Sequence, residues 1–360
     1  MLEVADIVRL HGDEYRAKFP TQLSGVQKKA LRDIERCRTP FLGGHVHQCG
    51  HCAQKVYSYH SCRNRSCPKC HRDQTERWIG KQRQRLLPCP YYLITFTLPA
   101  ALRPLARSHP RRVYTLLMKA AGEALQKLAA DPRFLGARVG ALAVLHTWTR
   151  AMLYHPHVHM LVTAGGLSAD GNHWVEPKSP KFFVPVRALS VIFRARMAAA
   201  LQKAGLLQDV SSDVWKKPWV VHCQHAGSGE KVLDYLGRYV FRIALTNNRL
   251  ERIQDGMVTF RYRDNRTHRI QHCTISGLEF LQRFLQHVLP RGCTKVRYYG
   301  IFSPHCHAKL QKARSRIQPS STLRPESSDS ASSSTPPRRC PHCRIGALVL
   351  IGTLQRIRSP

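Results

Sequence analysis

Apolar residues recur along the chain with two periods, one typical of helices and the other typical of strands. Helical spacing covers residues 2–11, 23–37, 113–130, 185–205, 229–244 and 277–289. Alternating or continuous apolar runs predict strands at 91–99, 141–148, 151–162, 219–222, 257–263 and 268–275. Some strands are joined by hairpin signals and others by helices. We therefore predict an α+β fold with an antiparallel sheet and flanking helices.

Breaks in this pattern divide the chain into predicted segments. These are an N-terminal helical region at 1–42, a small cysteine-rich module at 43–86, the sheet domain at 87–250, a C-terminal α/β extension at 251–317 and a tail at 318–360. The tail is rich in Ser and Pro, which predicts disorder. It contains the pair Cys340 and Cys343, and no second cysteine pair follows them in the sequence. The sequence therefore predicts no complete metal site there.

Charge narrows the class of partner. The chain has 57 Lys and Arg residues against 22 Asp and Glu residues, a formal net charge of +35. Such a field attracts polyanions and makes their binding depend on salt. No apolar run reaches the roughly 18 residues of a membrane span, and the first residues are acidic rather than signal-like. We expect a nucleic-acid partner rather than a membrane or a small molecule.

Cysteines in close pairs indicate metal binding. Thirteen cysteines in a chain without a predicted secretion signal favour metal ligation in a reducing compartment over disulfides. Cys49 and Cys52 form one C-x-x-C pair, and Cys67 and Cys70 form another, with 14 residues between them. This spacing is typical of a closed tetrahedral zinc site. We predict structural zinc on these four thiolates, with Cys62 as an alternative ligand.

Basic residues are concentrated in and after this module. Arg63, Arg65 and Arg72 are the candidates for contacts with DNA phosphates. The alternative interpretation is an ordinary solvated face.

Two pairs of side chains suggest catalytic chemistry. His157 and His159 are two residues apart on a predicted strand and so share a face. Tyr235 and Tyr239 are four apart on a predicted helix and also share a face. Imidazoles can hold a divalent metal, and a phenol oxygen can attack a phosphodiester. Each pair also has a structural alternative, as core or surface histidines and as tyrosines at the edge of an amphipathic helix.

A third metal ligand is expected, since two histidines seldom suffice. His146 on the preceding strand is the candidate, and His155 is its rival. The phenolate of a tyrosine needs local activation, because its ordinary pKa is about 10. A nearby metal, with Arg238 or Arg242, would favour that ionised form.

Four features in this order resemble the two-tyrosine, HUH-type rolling-circle transposases of bacterial insertion sequences. They are the cysteine segment at 61–70, the strand at 94–99, the histidine strand at 155–159 and the tyrosine segment at 235–239. The resemblance implies an HUH nuclease fold after an N-terminal zinc module. His157 and His159 then match the HUH histidines, and Tyr235 and Tyr239 match the paired nucleophiles.

The resemblance also implies a reaction and a setting. We expect Mg²⁺ or Mn²⁺ at the histidines, a 5′-phosphotyrosine intermediate, and single-stranded DNA at the element ends as the substrate. The location would be the bacterial cytoplasm, with the protein associated with DNA. Two alternatives stay open at this point. One is a replication initiator or relaxase with the same chemistry, and the other is a non-catalytic zinc protein that binds DNA.

Overall fold

The computed structural model describes residues 2–179, 183–241, 243–264, 267–317 and 338–357. Its helices are α1 (Val4–Lys18), α2 (Gly25–Arg36), α3 (Arg72–Arg83), α4 (Arg103–Ser108), α5 (Pro110–Ala129), α6 (Val186–Lys203), α7 (Asp213–Lys216), α8 (Glu230–Val240), α9 (Gly277–Leu285) and α10 (His307–Arg316). Its strands are β1 (Gly44–Cys49), β2 (Lys55–Tyr59), β3 (Tyr91–Thr97), β4 (Arg138–Trp148), β5 (Tyr154–Leu167), β6 (Trp174–Val175), β7 (Val221–His225), β8 (Leu250–Gln254), β9 (Met257–Arg263), β10 (Ile270–Ser276), β11 (Val296–Gly300) and β12 (Leu348–Leu354). All paired strands are antiparallel within the described ranges, so the predicted α+β class is confirmed.

The chain forms two compact units, each assembled from separate stretches of sequence. Unit 1 combines residues within 1–72, 245–282 and 324–360, and unit 2 combines residues within 73–244 and 283–323. This division differs from the contiguous segments predicted above. The reason is long-range strand pairing, since β11 pairs with β4 and β12 pairs with β1.

An antiparallel sheet forms the centre of unit 2. Its strand order is β11-β4-β5-β3-β7, and the short β6 pairs with the end of β5. The predicted strands at 91–99, 141–148, 151–162 and 219–222 correspond to β3, β4, β5 and β7. β11 was not among the predicted strands, because it is only five residues long and its residues do not alternate between buried and exposed positions.

The two faces of this sheet cover different cores. On β5, Val158 and Met160 belong to a core that includes residues of α5 and α6, whereas Leu161 belongs to a core that includes residues of α8. Because side chains alternate along a strand, the odd-numbered residues in this part of β5 are on the α8 side. His157 and His159 have this parity. The alternation thus directs both imidazoles toward α8, the helix that contains Tyr235 and Tyr239.

Unit 1 contains two small sheets and the first two helices. Ser24 caps α2 by accepting a hydrogen bond from the Gln27 backbone N–H. One sheet has the order β12-β1-β2, and the other has the order β10-β9-β8. The predicted hairpin between 257–263 and 268–275 is present as β9 and β10.

The prediction of disorder for 318–360 is wrong for the end of the chain. β12 pairs with β1 over its whole length, from Leu348 opposite Cys49 to Leu354 opposite Gly44. An apolar run at 348–351 carries this strand, and the Ser/Pro composition of the preceding residues obscured it. Residues 318–337 and 358–360 lie outside the described ranges. None of the described helices is long and apolar enough to span a membrane.

Candidate functional site

Three histidines converge on the α8 side of the unit 2 sheet. His146 on β4 lies directly opposite His157 on β5 in the antiparallel register. The Nε2 atoms of His157 and His159 are 3.1 Å apart, and one nitrogen from each of the three rings lies within 4.8 Å of the others. Nitrogen ligands at adjacent corners of an octahedron, each about 2.1 Å from a metal, would be about 3.0 Å apart. The cluster therefore fits a divalent cation.

Hydrogen bonds fix the orientation of two of these rings. The Nδ1 atom of His157 lies 2.7 Å from the carbonyl oxygen of His155, to which it donates. The Nδ1 atom of His159 lies 2.9 Å from the Thr95 hydroxyl on the adjacent strand β3. Because a carbonyl oxygen only accepts, His157 carries a proton on Nδ1 and leaves Nε2 free as a ligand. The Thr95 hydroxyl, which can donate or accept, orients the His159 ring so that its Nε2 atom faces that of His157.

Burial keeps the cluster neutral. It lowers the pKa of His157 to about 4 and, together with the charge of His157, that of His159 to about 3. Burial, followed by the effect of His159, also holds the pKa of His146 well below its ordinary value. The His146 Nε2 atom is buried and has no hydrogen-bond partner among the described residues. A buried nitrogen without a partner is costly, and a metal would satisfy it.

The two tyrosines of α8 lie beside the histidines. The rings of Tyr235 and Tyr239 are 5.2 Å apart between centroids. The Tyr239 ring lies 5.4 Å from His146, and the Tyr235 ring lies 6.2 Å from His159. Leu233, Leu236 and Val240 bury the other face of this helix, which therefore holds both phenols at the cluster. The structure thus brings together the five residues selected from the sequence.

Two cations that were not among the predicted site residues act on this site electrostatically. Lys295 is mostly buried, with its Nζ atom 4.9 Å from the centre of the Trp148 ring, and its charge lowers the pKa of His146. Burial raises the pKa of Tyr235, and the charge of Arg150 opposes that effect. Neither residue carries a motif, and only the fold reveals their position. Their positive charge suits a phosphate group.

The remaining candidates near the site have different surroundings. His155 accepts a hydrogen bond at Nδ1 from Arg103, at 2.7 Å, and it is outside the group of three converging histidines. The geometry therefore favours His146 over His155 as the third ligand. Arg238 is exposed on α8. Arg242 lies outside the described residues.

The cysteines of unit 1 are grouped differently from the prediction. Cys67 and Cys70 lie with Cys37 and Cys62, whereas Cys49 and Cys52 lie in a separate group. A single site made of Cys49, Cys52, Cys67 and Cys70 is therefore wrong, and Cys62 is a member rather than a substitute. The reason is that Cys62 of the same segment and Cys37 at the end of α2 complete the group of Cys67 and Cys70, which leaves no ligand position for the Cys49 pair.

The group around Cys67 fits a closed zinc site. Its Sγ atoms are close together, with 3.2 Å between Cys37 and Cys70 and 3.5 Å between Cys62 and Cys70. The backbone N–H groups of Cys62 and Asn64 donate to the sulfurs of Cys37 and Cys62. Cys37 was not predicted as a ligand, because it stands alone at the C-terminal end of α2 without a second cysteine nearby in the sequence. Four thiolates without an open position indicate a structural ion.

The three candidate DNA-binding arginines lie in unit 1, in and just after this cysteine segment. Arg63 and Arg72 are exposed, and Arg65 is half-buried. Their contact with DNA stays a prediction.

Comparisons with known proteins agree with these features. A family model described as "Putative transposase" matches residues 140–309, and one described as "Transposase zinc-binding domain", of the IS91 type, matches residues 7–98. The chain is 41% identical to "Putative transposase y4qJ" of Sinorhizobium fredii, over 99% of this chain and 97% of that protein.

A second relative is the "Transposase for insertion sequence element IS801" of Pseudomonas savastanoi pv. phaseolicola, which is 31% identical over 77% of this chain and 72% of its own length. No solved structure matches the chain significantly. Family membership agrees with the resemblance drawn from the sequence, and it favours a transposase over a replication initiator or relaxase. The chain belongs to the IS91-type family of insertion-sequence transposases, enzymes that act on DNA, and carries the zinc-binding domain of that family.

Proposed function

We propose that this transposase cuts and rejoins single-stranded DNA at the ends of its element, with Tyr235 and Tyr239 as nucleophiles in rolling-circle-type transposition. A phenol oxygen gives up its proton and attacks the scissile phosphorus, so that a 5′-phosphotyrosine bond forms as the P–O3′ bond breaks. The leaving 3′ oxygen takes up one proton and becomes a free hydroxyl, so protons balance over the step. The bond energy is kept in the phosphotyrosine, which allows rejoining without ATP.

One observation carries this proposal. Three histidines, of which His146 and His157 are buried, and two tyrosines share one small region on one face of the unit 2 sheet, although they come from three separate elements. A purely structural role explains a buried histidine or an edge tyrosine taken singly. It does not explain why His146, which has a buried nitrogen without a partner, lies beside two further imidazoles and paired phenols.

The histidines would hold Mg²⁺ or Mn²⁺ through His146, His157 and His159. When bound, the cation neutralises charge on the non-bridging phosphate oxygens. Thr95 and the His155 carbonyl keep the His159 and His157 rings oriented for this task. Lys295 and Arg150 add positive charge for the phosphate. Two tyrosines side by side allow a second cleavage while the first covalent link persists.

DNA affinity is assigned to other residues. We propose that the exposed Arg63 and Arg72, with Arg65 and Arg238, contact backbone phosphates. Binding should then weaken steeply with salt. Because the relatives are bacterial proteins, we place the reaction in the cytoplasm, where bacterial DNA is located.

The test is covalent adduct formation. Purified protein is incubated with Mn²⁺ and a single-stranded oligonucleotide that carries an element end, and denaturing gels detect protein bound to DNA. We expect the double variant Tyr235→Phe/Tyr239→Phe to bind the oligonucleotide with a normal salt dependence and to form no adduct, because Phe keeps the ring and removes only the oxygen. Tyr57→Phe, at an exposed tyrosine of unit 1, is the control and should form adduct normally.

Each single Phe variant is expected to form a first adduct while complete transposition fails. The same assay tests the alternative of a non-catalytic DNA-binding protein. Such a protein would form no adduct, either as wild type or as a variant. An adduct in the double variant, mapped by peptide mass spectrometry to another residue, would refute the assignment. Competition with duplex DNA of the same sequence tests the preference for single strands.

A further inference from the structure

The last cysteine pair of the chain does not stand alone. Cys340 and Cys343 form one cluster with Cys49 and Cys52 in unit 1, and their Sγ atoms all lie within 4.8 Å of one another. The Sγ atoms of Cys49 and Cys343 are 3.6 Å apart, and those of Cys52 and Cys340 are 3.7 Å apart. Sulfurs at the corners of a tetrahedron with metal–sulfur bonds of about 2.3 Å would be separated by about 3.8 Å. A disulfide would instead bring them to about 2.0 Å.

The two halves of this cluster have the same backbone turn. The residue after each second cysteine, Ala53 and Arg344, has positive φ, at 56° and 59°. In each half its N–H donates to the carbonyl of the first cysteine, at 3.1 Å for Ala53 and 2.9 Å for Arg344. Non-glycine residues adopt this strained conformation only where the surroundings require it. His71, after Cys70 in the other cysteine cluster, also has positive φ.

Backbone amides point at the sulfurs. The N–H groups of His51 and Cys52 donate to the Cys49 sulfur, and that of Gly346 donates to the Cys343 sulfur, all at 3.4 Å. Such bonds stabilise thiolates and orient them as ligands. Position 346 also has no room for a side chain, since a Cβ atom there would overlap the Cys49 sulfur. The backbone is thus shaped around the four sulfurs, which indicates a metal site rather than a chance approach of free thiols.

Strand pairing holds the two halves together. β12 follows the second half and pairs with β1, which ends at Cys49. The N–H of Gly50 donates to the Ala347 carbonyl at 3.1 Å. Ligands that are nearly three hundred residues apart in sequence therefore meet at the end of an antiparallel ladder, which has one irregularity between Val46 and His47.

We infer that Cys49, Cys52, Cys340 and Cys343 bind a second structural zinc ion. Four thiolates in a tetrahedral arrangement select a soft cation such as Zn²⁺ over Mg²⁺ or Ca²⁺. This ion joins the end of the chain to the N-terminal zinc-binding domain. The domain is then complete only when residues 338–357 are present, although the family match for it ends at residue 98.

Zinc content of the full-length protein, measured by elemental mass spectrometry after removal of loosely bound metal, provides the first test. Wild-type protein should retain two zinc ions per chain. Cys340→Ser/Cys343→Ser and Cys49→Ser/Cys52→Ser should each retain one, and the variant with all four substitutions should also retain one, because both pairs serve the same ion. Cys306→Ser, at a cysteine outside both clusters, should retain two.

Two results overturn the inference. One is retention of both ions by Cys340→Ser/Cys343→Ser. The other is a greater loss of zinc in the four-serine variant than in either pair variant, because that would show two separate sites.

A second measurement uses the unmodified chain and does not depend on how a variant folds. Iodoacetamide labelling, read out by mass spectrometry, should spare Cys340 and Cys343 while zinc is bound, and label them at the same chelator concentration as Cys49 and Cys52. Labelling of Cys340 and Cys343 at the rate of Cys306 in the zinc-loaded protein would overturn the proposal. So would detection of a disulfide between the two halves under reducing conditions.

Two glycine substitutions test the metal site sterically without removing any of its four thiols. Gly346→Ala should release one zinc ion at a lower chelator concentration, because its Cβ displaces the Cys49 sulfur. Gly352→Ala, on β12 with no atom within 4 Å of the added Cβ, should release zinc as wild type does. Equal zinc release from the two variants would contradict the inference.

Discussion

Thr95 lies next to the histidine cluster and reaches it through a single hydrogen bond. Its hydroxyl is 2.9 Å from the Nδ1 atom of His159, whose other nitrogen faces His157. Thr95→Val replaces the hydroxyl with a methyl group of nearly the same size, so the ring loses its orienting partner and little else changes. Loss of a partner of this kind lowers metal affinity by about 10- to 100-fold.

This loss can be converted to a change in stability. At a Mn²⁺ concentration of about 100 times the wild-type Kd, binding stabilises the folded protein by about 2.7 kcal/mol. A 10- to 100-fold weaker site leaves about 1.4 to 0.4 kcal/mol under the same conditions. For a domain of this size, 1 kcal/mol corresponds to about 2–4 °C in Tm. The Mn²⁺-induced rise in Tm should therefore shrink by about 3–9 °C in Thr95→Val.

The assay is thermal unfolding with and without Mn²⁺, on protein already loaded with zinc and freed of excess zinc. Comparing each variant with its own metal-free form removes any direct effect of the substitution on folding. Thr97→Val is the matched control, since Thr97 lies two residues further along β3, opposite His157, and its hydroxyl has no partner among the described residues. A full Mn²⁺ response in Thr95→Val, or an equal loss in Thr97→Val, would refute the reasoning.

Two further predictions concern His146 as the third metal ligand and the packing of α8 against α3. His146→Gln should weaken Mn²⁺ binding more than Thr95→Val does, whereas His155→Gln should leave it unchanged, and calorimetric titration distinguishes these results. A Cβ atom at Gly237 on α8 would lie 2.5 Å from Ile79, so Gly237→Ala should shift the tyrosines and slow adduct formation by about 10-fold or more. Gly80→Ala has free space and should form adduct at the wild-type rate, so equal rates in the two glycine variants would contradict this account.

Local spacing was enough to predict the pairs within one strand or one helix. His157 and His159 share a face whatever the rest of the chain does, and Tyr235 and Tyr239 do so for the same reason. Spacing alone could not predict that the histidine pair and the tyrosine pair meet on the same side of the sheet. That side follows from the alternation of Val158, Met160 and Leu161 between two cores, and the helices packed on each face define those cores.

Local spacing could not decide which histidine joins His157 and His159 as the third ligand. His146 and His155 both lie near the histidine pair in sequence, and the strand pattern allowed either one. The register of β4 against β5 decides between them, because it sets His146 opposite His157. Register depends on side-chain packing and on irregularities in the ladder, such as the one between residues 146 and 148. Neither can be derived from the apolar pattern of one strand.

The grouping of the cysteines could not be predicted from local spacing. Each is assembled from ligands that come from separate elements, and the sequence offers two C-x-x-C pairs at a spacing that fits one zinc site equally well. Pairing them was the simplest interpretation, yet β12 brings a third pair, Cys340 and Cys343, to the end of β1. Once that ladder forms, the Cys49 pair has its partners, and Cys67 and Cys70 must find theirs in Cys37 and Cys62. The error in the predicted zinc site and the error in the predicted tail therefore have one cause, the pairing of β12 with β1.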